Sequence, residues 1–472
     1  MTGLYWLNSG RSKVCSRLPI VSRSSHCSAR MSSPIDDLCP LSPAYGDHAP
    51  APPTQALRGD RRADVAIVGA GYTGLSTALH LAERGIRATV AEAKEIGWGA
   101  SGRNFGQVVP YLKHGPAEVL AHFGREAGER LIEETGKGPD LVFGLIDKYA
   151  IDCALRRTGL IFAAHSDAGR AAIERRTEFW QARGAPVDMV TGADAHALIG
   201  SDYYDACALE RRGGTINPLA YARGLAKAAI ALGVEICTGS PVTSLARAGK
   251  EWHVTTPGGS VTADAVVLAT NAYMTDRLWP GLRDSIIPVR LYQAVSRPLG
   301  ENVRRTVLPQ GQPLTDTRRL VSGVRLYADG RMHVSADGPA FDNSGDADLS
   351  KVARRLERIF PRVGPLDWVH RWAGWIAMTT DQYPRLHELA PGLWTGFGYS
   401  GRGIAHATMM GRDIAARVAG AVDATKLVFP MTQPRPSLVT RVAPPLIRSL
   451  VVYYRMRDAF DDARHRRARA RS

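Results

Sequence analysis

The chain has 472 residues, 44% of them apolar and 22% charged, the balance of a globular protein with enough length for about two to three domains. Its formal charge of +15 sits mostly at the ends: residues 1–30 carry Arg11, Lys13, Arg17, Arg23 and Arg30 with no acid, and residues 441–472 carry nine arginines against Asp458, Asp461 and Asp462. The body is near neutral, so no nucleic-acid partner is implied, and no stretch reaches the roughly 18 apolar residues that cross a bilayer, so a soluble protein is expected.

Residues 1–60 read as a flexible extension, with Ser and Arg first and a Pro-rich stretch at 49–53. The acid-free first thirty resemble a mitochondrial transit peptide; an over-extended start with Met31 as initiator is the plainer reading. Cys15, Cys27, Cys39, Cys153, Cys207 and Cys237 form no CxxC pair. No metal site or disulfide framework is expected, and a reducing, cytoplasmic setting fits.

Asp64–Val68 is a short apolar run that predicts a strand buried on both faces. Leu75–Arg84 has helical spacing and stops at Gly85. Arg87–Glu92 predicts the next strand, completing a βαβ unit. Further on, Pro218–Leu232 reads as a helix, and Val234–Thr238, Pro241–Ala248, Glu251–Thr256 and Ala263–Ala269 as strands. Asp329-Gly330 centres a hairpin over Tyr327–Val334, and Asp348–Phe360 is an amphipathic helix. Gly392–Phe397 predicts a strand, Ile404–Val418 a helix, and Pro445–Arg464 a final helix with a basic face. That last helix is either packed on the body with its arginines solvated or laid on an acidic membrane surface.

Between the first strand and helix stand Gly69, Gly71 and Gly74, with Glu92 at the end of the second strand. Gly69 permits a tight turn, Gly71 lets backbone approach a pyrophosphate, and Gly74 lets helix pack on strand. Tyr72 and Thr73 open the helix, whose N-terminus offers free N–H groups to phosphate. Glu92, followed by Ala93, can accept hydrogen bonds from a ribose hydroxyl. The pattern predicts a dinucleotide and leaves FAD and NAD both open.

The stretch Gly97-Trp98-Gly99-Ala100-Ser101-Gly102-Arg103-Asn104-Phe105-Gly106-Gln107 resembles a signature of the FAD-dependent oxidoreductases of the D-amino-acid oxidase superfamily, in the γ-glutamylputrescine oxidase-like branch. Phe105 departs from it, standing where that signature has glycine. Asn217-Pro218, Ala269-Thr270-Asn271-Ala272-Tyr273 and the block from Gly396 to Gly411 extend the resemblance over roughly residues 60–460. It implies an α/β fold of D-amino-acid oxidase/glutathione-reductase-like architecture. A Rossmann-like FAD-binding domain would be built from 61–149, 206–284 and 371–425, an inserted antiparallel-sheet substrate domain from 150–205 and 285–370, and a C-terminal helix and basic tail from 426–472.

The resemblance adds cofactor contacts at Trp98, Gly99, Ala100, Ser101, Arg103, Asn104, Gly106 and Gln107, at Ala269, Thr270 and Asn271, and at Gly401, Arg402, Gly403 and Ile404, where a helix start would face the flavin. Val242 is either an adenine reader on a strand or ordinary strand core. The attachment cysteine of some relatives is missing from Trp375–Asp381, so FAD is expected to be non-covalent. The implied reaction is oxidation of a C–N bond in an amine or amino-acid-like substrate by hydride transfer to flavin N5. The imine would then hydrolyse and oxygen would reoxidise the flavin, giving peroxide. A dehydrogenase that passes electrons to a quinone or carrier, and a non-catalytic flavin-binding protein, are the alternatives. Tyr292, Arg331, His333 and Trp372 are the catalytic candidates, with Gln293 and Arg325 nearby; Tyr292 and Trp372 also suit plain core, and His333 a structural hydrogen bond.

Overall fold

The computed structural model describes residues 43–46, 49–320, 322–337, 349–434 and 438–469. The transit-peptide and Met31 readings lie outside those residues. Residues expected to be loose up to 60 are partly built in: Tyr45, Ala49 and Leu57 are buried.

The first sheet runs, in spatial order, Arg385–Ala390, Leu393–Phe397, Gly259–Leu268, Arg61–Val68, Ala88–Ala91 and Glu235–Cys237. The last five strands pair in parallel. Ser244–Ala248 and Glu251–Thr256 continue antiparallel from Gly259–Leu268. In Arg61–Val68, Val65 and Ile67 enter the core beneath helix Tyr72–Ala82, while Ala66 and Val68 enter a second core with Trp252 and Phe397. Burial on both faces is why this strand reads as an apolar run without alternation; each large side chain there contributes about 1.5–3 kcal/mol. Helix Tyr72–Ala82 packs against helix Gly403–Val418 at Gly411, where a Cβ would lie 2.6 Å from Thr73 O.

The second sheet runs Trp368–Met378, Ile287–Pro298, Arg331–Asp337, Gly323–Leu326, Leu314–Asp316, Leu160–Ala163, Ala206–Glu210 and Val187–Thr191. It joins strands from the two segments read as inserted, but reaches past both. Ala206–Glu210 lies between Leu160–Ala163 and Val187–Thr191, and Trp368–Met378 pairs along its length with Ile287–Pro298. The second sheet thus runs past residues 205 and 370, to Glu210 and Met378. Backbone pairing decided this, and a short apolar run carries no mark of which sheet will take it. The hairpin turns at Asp329-Gly330, with Gly330 at φ +87°. The terminal helix spans Leu438–Arg469, beginning ahead of the prolines expected to start it.

Candidate functional site

The parallel strands ending at Val68, Ala91 and Leu268 finish on one edge of the first sheet. Gly69 turns there with φ +107°, and a side chain on it would meet Ala269 O at 3.1 Å. Gly74 is tighter: its Cβ would stand 2.0 Å from Gly69 O, so only glycine lets the helix begin this close to the strand. Gly71 is the N-cap. Leu75 N bonds to Gly71 O, which leaves the amides of residues 71–74 without partners inside the helix. Tyr72 N donates to Ser101 Oγ at 3.0 Å; the helix end otherwise forms an anion site.

Glu92 follows the second strand. Its Oε2 accepts from Ala70 N at 2.7 Å and its Oε1 from Lys94 N at 2.9 Å. Burial raises its carboxyl pKa, against the lowering effect of these amides. Ala93 beside it is exposed. Ser240 N donates to Glu92 O, which brings the segment holding Val242 to this corner. Val242 is not on a strand, because the ladder with Glu251–Thr256 begins at Ser244.

The loop from Gly97 to Gln107 lies across the helix start. A Cβ on Gly71 would meet Ser101 Oγ at 3.0 Å, and one on Gly99 the Tyr273 ring at 3.0 Å. Tyr72 OH donates to Ser101 O and Pro218 O, so its ring anchors the loop. Asn104 Nδ2 donates to Ala100 O at 3.1 Å and Ser101 O at 2.9 Å, and its Oδ1 accepts from Gly106 N. Arg103 is 2% exposed; its guanidinium lies 4.8 Å from the Trp98 ring centroid and donates to Trp98 O at 2.7 Å. These two residues were expected to offer donors to the cofactor. Both are also engaged within the protein, where they stand in for the backbone ladder that an irregular loop lacks. Gln107 pairs with Thr215. Phe105 packs 4.8 Å from the His333 ring, and Gly323 makes room for it, since a Cβ there would lie 2.8 Å from the Phe105 ring.

The C-terminal block is tied to the same place. Thr73 Oγ1 and Tyr399 OH lie 2.5 Å apart. Asn271 Oδ1 accepts from Gly398 N, and Ala269 N donates to Val68 O, with Thr270 following. Gly401 turns at φ +86°, Arg402 caps helix Gly403–Val418, and Ile404 is buried. Arg402 Nε is buried with no hydrogen-bond partner among the described residues. Its guanidinium stands 5.4 Å from the Tyr111 ring centroid, and that of Arg176 stands 4.7 Å from the same ring. Burial lowers the Arg402 pKa to about 10. Burial, with the Arg402 charge added, lowers Lys113 to about 8. Sequence reasoning missed Tyr111, Lys113 and Arg176, which belong to no motif and come from distant segments; the only hint was that Tyr111-Leu112-Lys113 follows the glycine loop directly.

The catalytic candidates separate by sheet face. Gln293, His333, Ser335 and Trp372 share the face toward the first sheet, while Tyr292 points the other way into a core with Ala294, Val334 and Ala336. Tyr292 is therefore corrected to core, since strand alternation turns it from its neighbour Gln293. Arg331 is held by Asp329 at the hairpin, 2.7 Å away. His333 is fully buried. Its Nδ1 accepts from Arg325 Nε at 3.2 Å, and its Nε2 therefore carries the proton and donates to Gln293 Oε1 at 3.0 Å. Burial first, then Arg325 and Arg331, push its pKa well below the usual value, so it is neutral. Trp372 Nε1 donates to Arg103 O at 2.9 Å. His333 and Trp372 thus brace the wall behind the loop.

A helix start with free amides, an oriented carboxylate at the next strand end and a second sheet beside the same strand ends suit a dinucleotide. The chain belongs to the FAD dependent oxidoreductase family, whose pattern matches residues 64–417, and its cofactor is FAD. It is 32% identical to gamma-glutamylputrescine oxidoreductase of Escherichia coli (strain K12) over 372 residues, 78% of this chain and 86% of that protein. It is 30% identical to the probable oxidoreductase OrdL of Haemophilus influenzae over 363 residues, 76% of this chain and 83% of that one. The crystal structure of glycine oxidase from Geobacillus kaustophilus shares the fold, with a TM-score of 0.64 at 24% identity over 77% of this chain and 96% of that one. The residues present fit FAD: the helix start can take its phosphates, Glu92 its ribose, and the unpartnered Arg402 Nε stands at the other helix start.

Proposed function

We propose that the chain oxidises the C–N bond of an amine that also carries an anionic group, such as an amino acid or a γ-glutamylated amine, and passes the electrons to oxygen as peroxide. The observation that carries this reading is the set of cations at Tyr111, namely Arg402, Arg176 and Lys113. Bound FAD supplies the acceptor for a hydride from the carbon beside the nitrogen. Arg176 and Arg402 suit a substrate carboxylate, which a guanidinium pairs in two parallel hydrogen bonds. Their charge disfavours a substrate ammonium, so the nitrogen is held neutral with its lone pair available. Lys113, with its pKa lowered to about 8, loses its own charge near and above that pH, and its neutral Nζ then takes the displaced proton. Glycine and γ-glutamylputrescine, which name two of the relatives, both combine an amine with a carboxylate. FAD is held non-covalently, since residues 375–381 offer no cysteine. Its setting is a reducing, cytoplasmic one, in keeping with the free, buried Cys153, Cys207 and Cys237.

The test is an anaerobic absorbance screen with polyamines, γ-glutamylated amines, D-amino acids and N-methyl amino acids. Amines with a carboxylate should bleach the flavin, and unsubstituted polyamines should not. Arg176→Met should raise KM by roughly tenfold or more, the worth of a charged hydrogen bond. Equal bleaching by plain polyamines, or an unchanged KM in Arg176→Met, would reject the anionic-substrate reading. Peroxide formed in air supports oxygen as acceptor, whereas reduction of a dye without peroxide would reassign the enzyme as a dehydrogenase.

A further inference from the structure

The helix Leu438–Arg469 presents two unlike faces. Asp458 and Asp462 are buried. Arg319 donates to both Asp458 and Asp461 at 2.8 Å, and Arg318 to Asp462 at 2.7 Å. These three are the only acids after residue 437, and all are consumed on the inward side, where Arg318 and Arg319 follow a strand of the second sheet. With them lies His165, whose ligand atom is within 4.8 Å of those of Asp458 and Asp461; both carboxylates are already engaged by Arg319, and no cation is assigned there.

The outward side is different. Tyr453, Met456 and Phe460 are 46%, 62% and 65% exposed, and they are three of the five large apolar side chains so exposed among the described residues. Their spacing of i, i+3, i+7 sets them in one stripe. Arg457 and Arg464 are exposed beside the stripe, and Arg466, Arg467, Arg469 and Arg471 follow in sequence. With every acid engaged inward, the outward face pairs an apolar stripe with uncancelled positive charge. No helix among the described residues is long and apolar enough to cross a membrane.

We infer that this face docks the protein on an anionic phospholipid bilayer. Tyr453, Met456 and Phe460 enter the headgroup boundary and the arginines meet lipid phosphate, the division of labour of an interfacial helix. A second copy of the chain would meet this same basic face with like charge, and a nucleic acid would leave the apolar stripe without a role. The inference does not depend on the substrate reading.

Flotation of the full-length holoenzyme with vesicles of phosphatidylcholine and phosphatidylglycerol, against phosphatidylcholine alone, tests it. Met456→Glu/Phe460→Glu changes two exposed positions, and flavin content and circular dichroism report whether the fold is kept. The enzyme should float with the anionic vesicles, stay down with neutral ones, and release in 1 M salt, where screening shortens to about 3 Å. The double variant should float roughly tenfold less at full flavin content. Should wild type and variant float equally, should neither float, or should light scattering show a dimer that the variant abolishes, the inference is overturned. Preferential binding to a DNA duplex, undiminished in the variant, would overturn it as well.

Discussion

Glu92→Gln examines the cofactor site through one atom. In the native protein two backbone amides converge on this carboxylate, Ala70 N on Oε2 and Lys94 N on Oε1. Glutamine keeps the shape but supplies one oxygen and one NH2 group. Whichever way the amide turns, one backbone N–H then faces another donor. The oxygen can keep Ala70 N while the exposed Lys94 N turns to water, so the effect on FAD falls on the ribose, which loses a charged acceptor worth about 1–3 kcal/mol. At about 1.4 kcal/mol per decade, the Kd for FAD should rise roughly 5- to 150-fold. Titrating flavin-depleted protein with FAD, and following quenching of flavin fluorescence, measures it. Binding within twofold of wild type would refute the role given to Glu92. Melting the variant with and without excess FAD separates this from misfolding, because ligand in excess restores stability by mass action.

Gly74→Ala places a methyl 2.0 Å from Gly69 O, and overpacking of this kind costs about 1–3 kcal/mol; the variant should purify with little flavin, and a full flavin-to-protein ratio would show that the helix can move away freely. Ser101→Ala removes the acceptor for Tyr72 N, a loss of about 1 kcal/mol by analogy with helix caps, which urea unfolding should register; no change would mean that another acceptor takes the amide. His387 and His406 are each 1% exposed, and burial holds their pKa values at about 4 and about 3. Because both lie below the unfolded value of about 6.5, the unfolded chain takes up protons first as pH falls, so stability is lost below 6.5. From pH 6.5 to 5 each contributes a loss of about 2 kcal/mol. Urea unfolding at pH 7 and pH 5 should show it, with the drop smaller by about 2 kcal/mol in His406→Leu; equal drops in both proteins would contradict the assignment.

The phosphate turn was legible in the sequence because its chemistry is local. Gly69, Gly71, Gly74 and Glu92 must recur at set spacings for one strand, one turn and one helix to meet a pyrophosphate, and Trp98–Gln107 follows on the same short stretch of chain. The meaning of individual side chains there was not legible. That Arg103 and Asn104 also brace their own loop, through Trp98 O, Ala100 O and Ser101 O, is visible only in the folded chain.

The sequence by itself determined the dinucleotide turn and the βαβ unit, since those follow from near-neighbour geometry, and its resemblance to a known family implied FAD and the order of the flavin motifs. The tertiary structure alone decided which face Tyr292 and Gln293 take, how His333 is held neutral between Arg325 and Gln293, and that Tyr111, Lys113, Arg176 and Arg402 come together. It also turned the acids of the last helix inward onto Arg318 and Arg319. Each of these depends on pairing between segments far apart in the chain, and sequence spacing carries no record of such pairing.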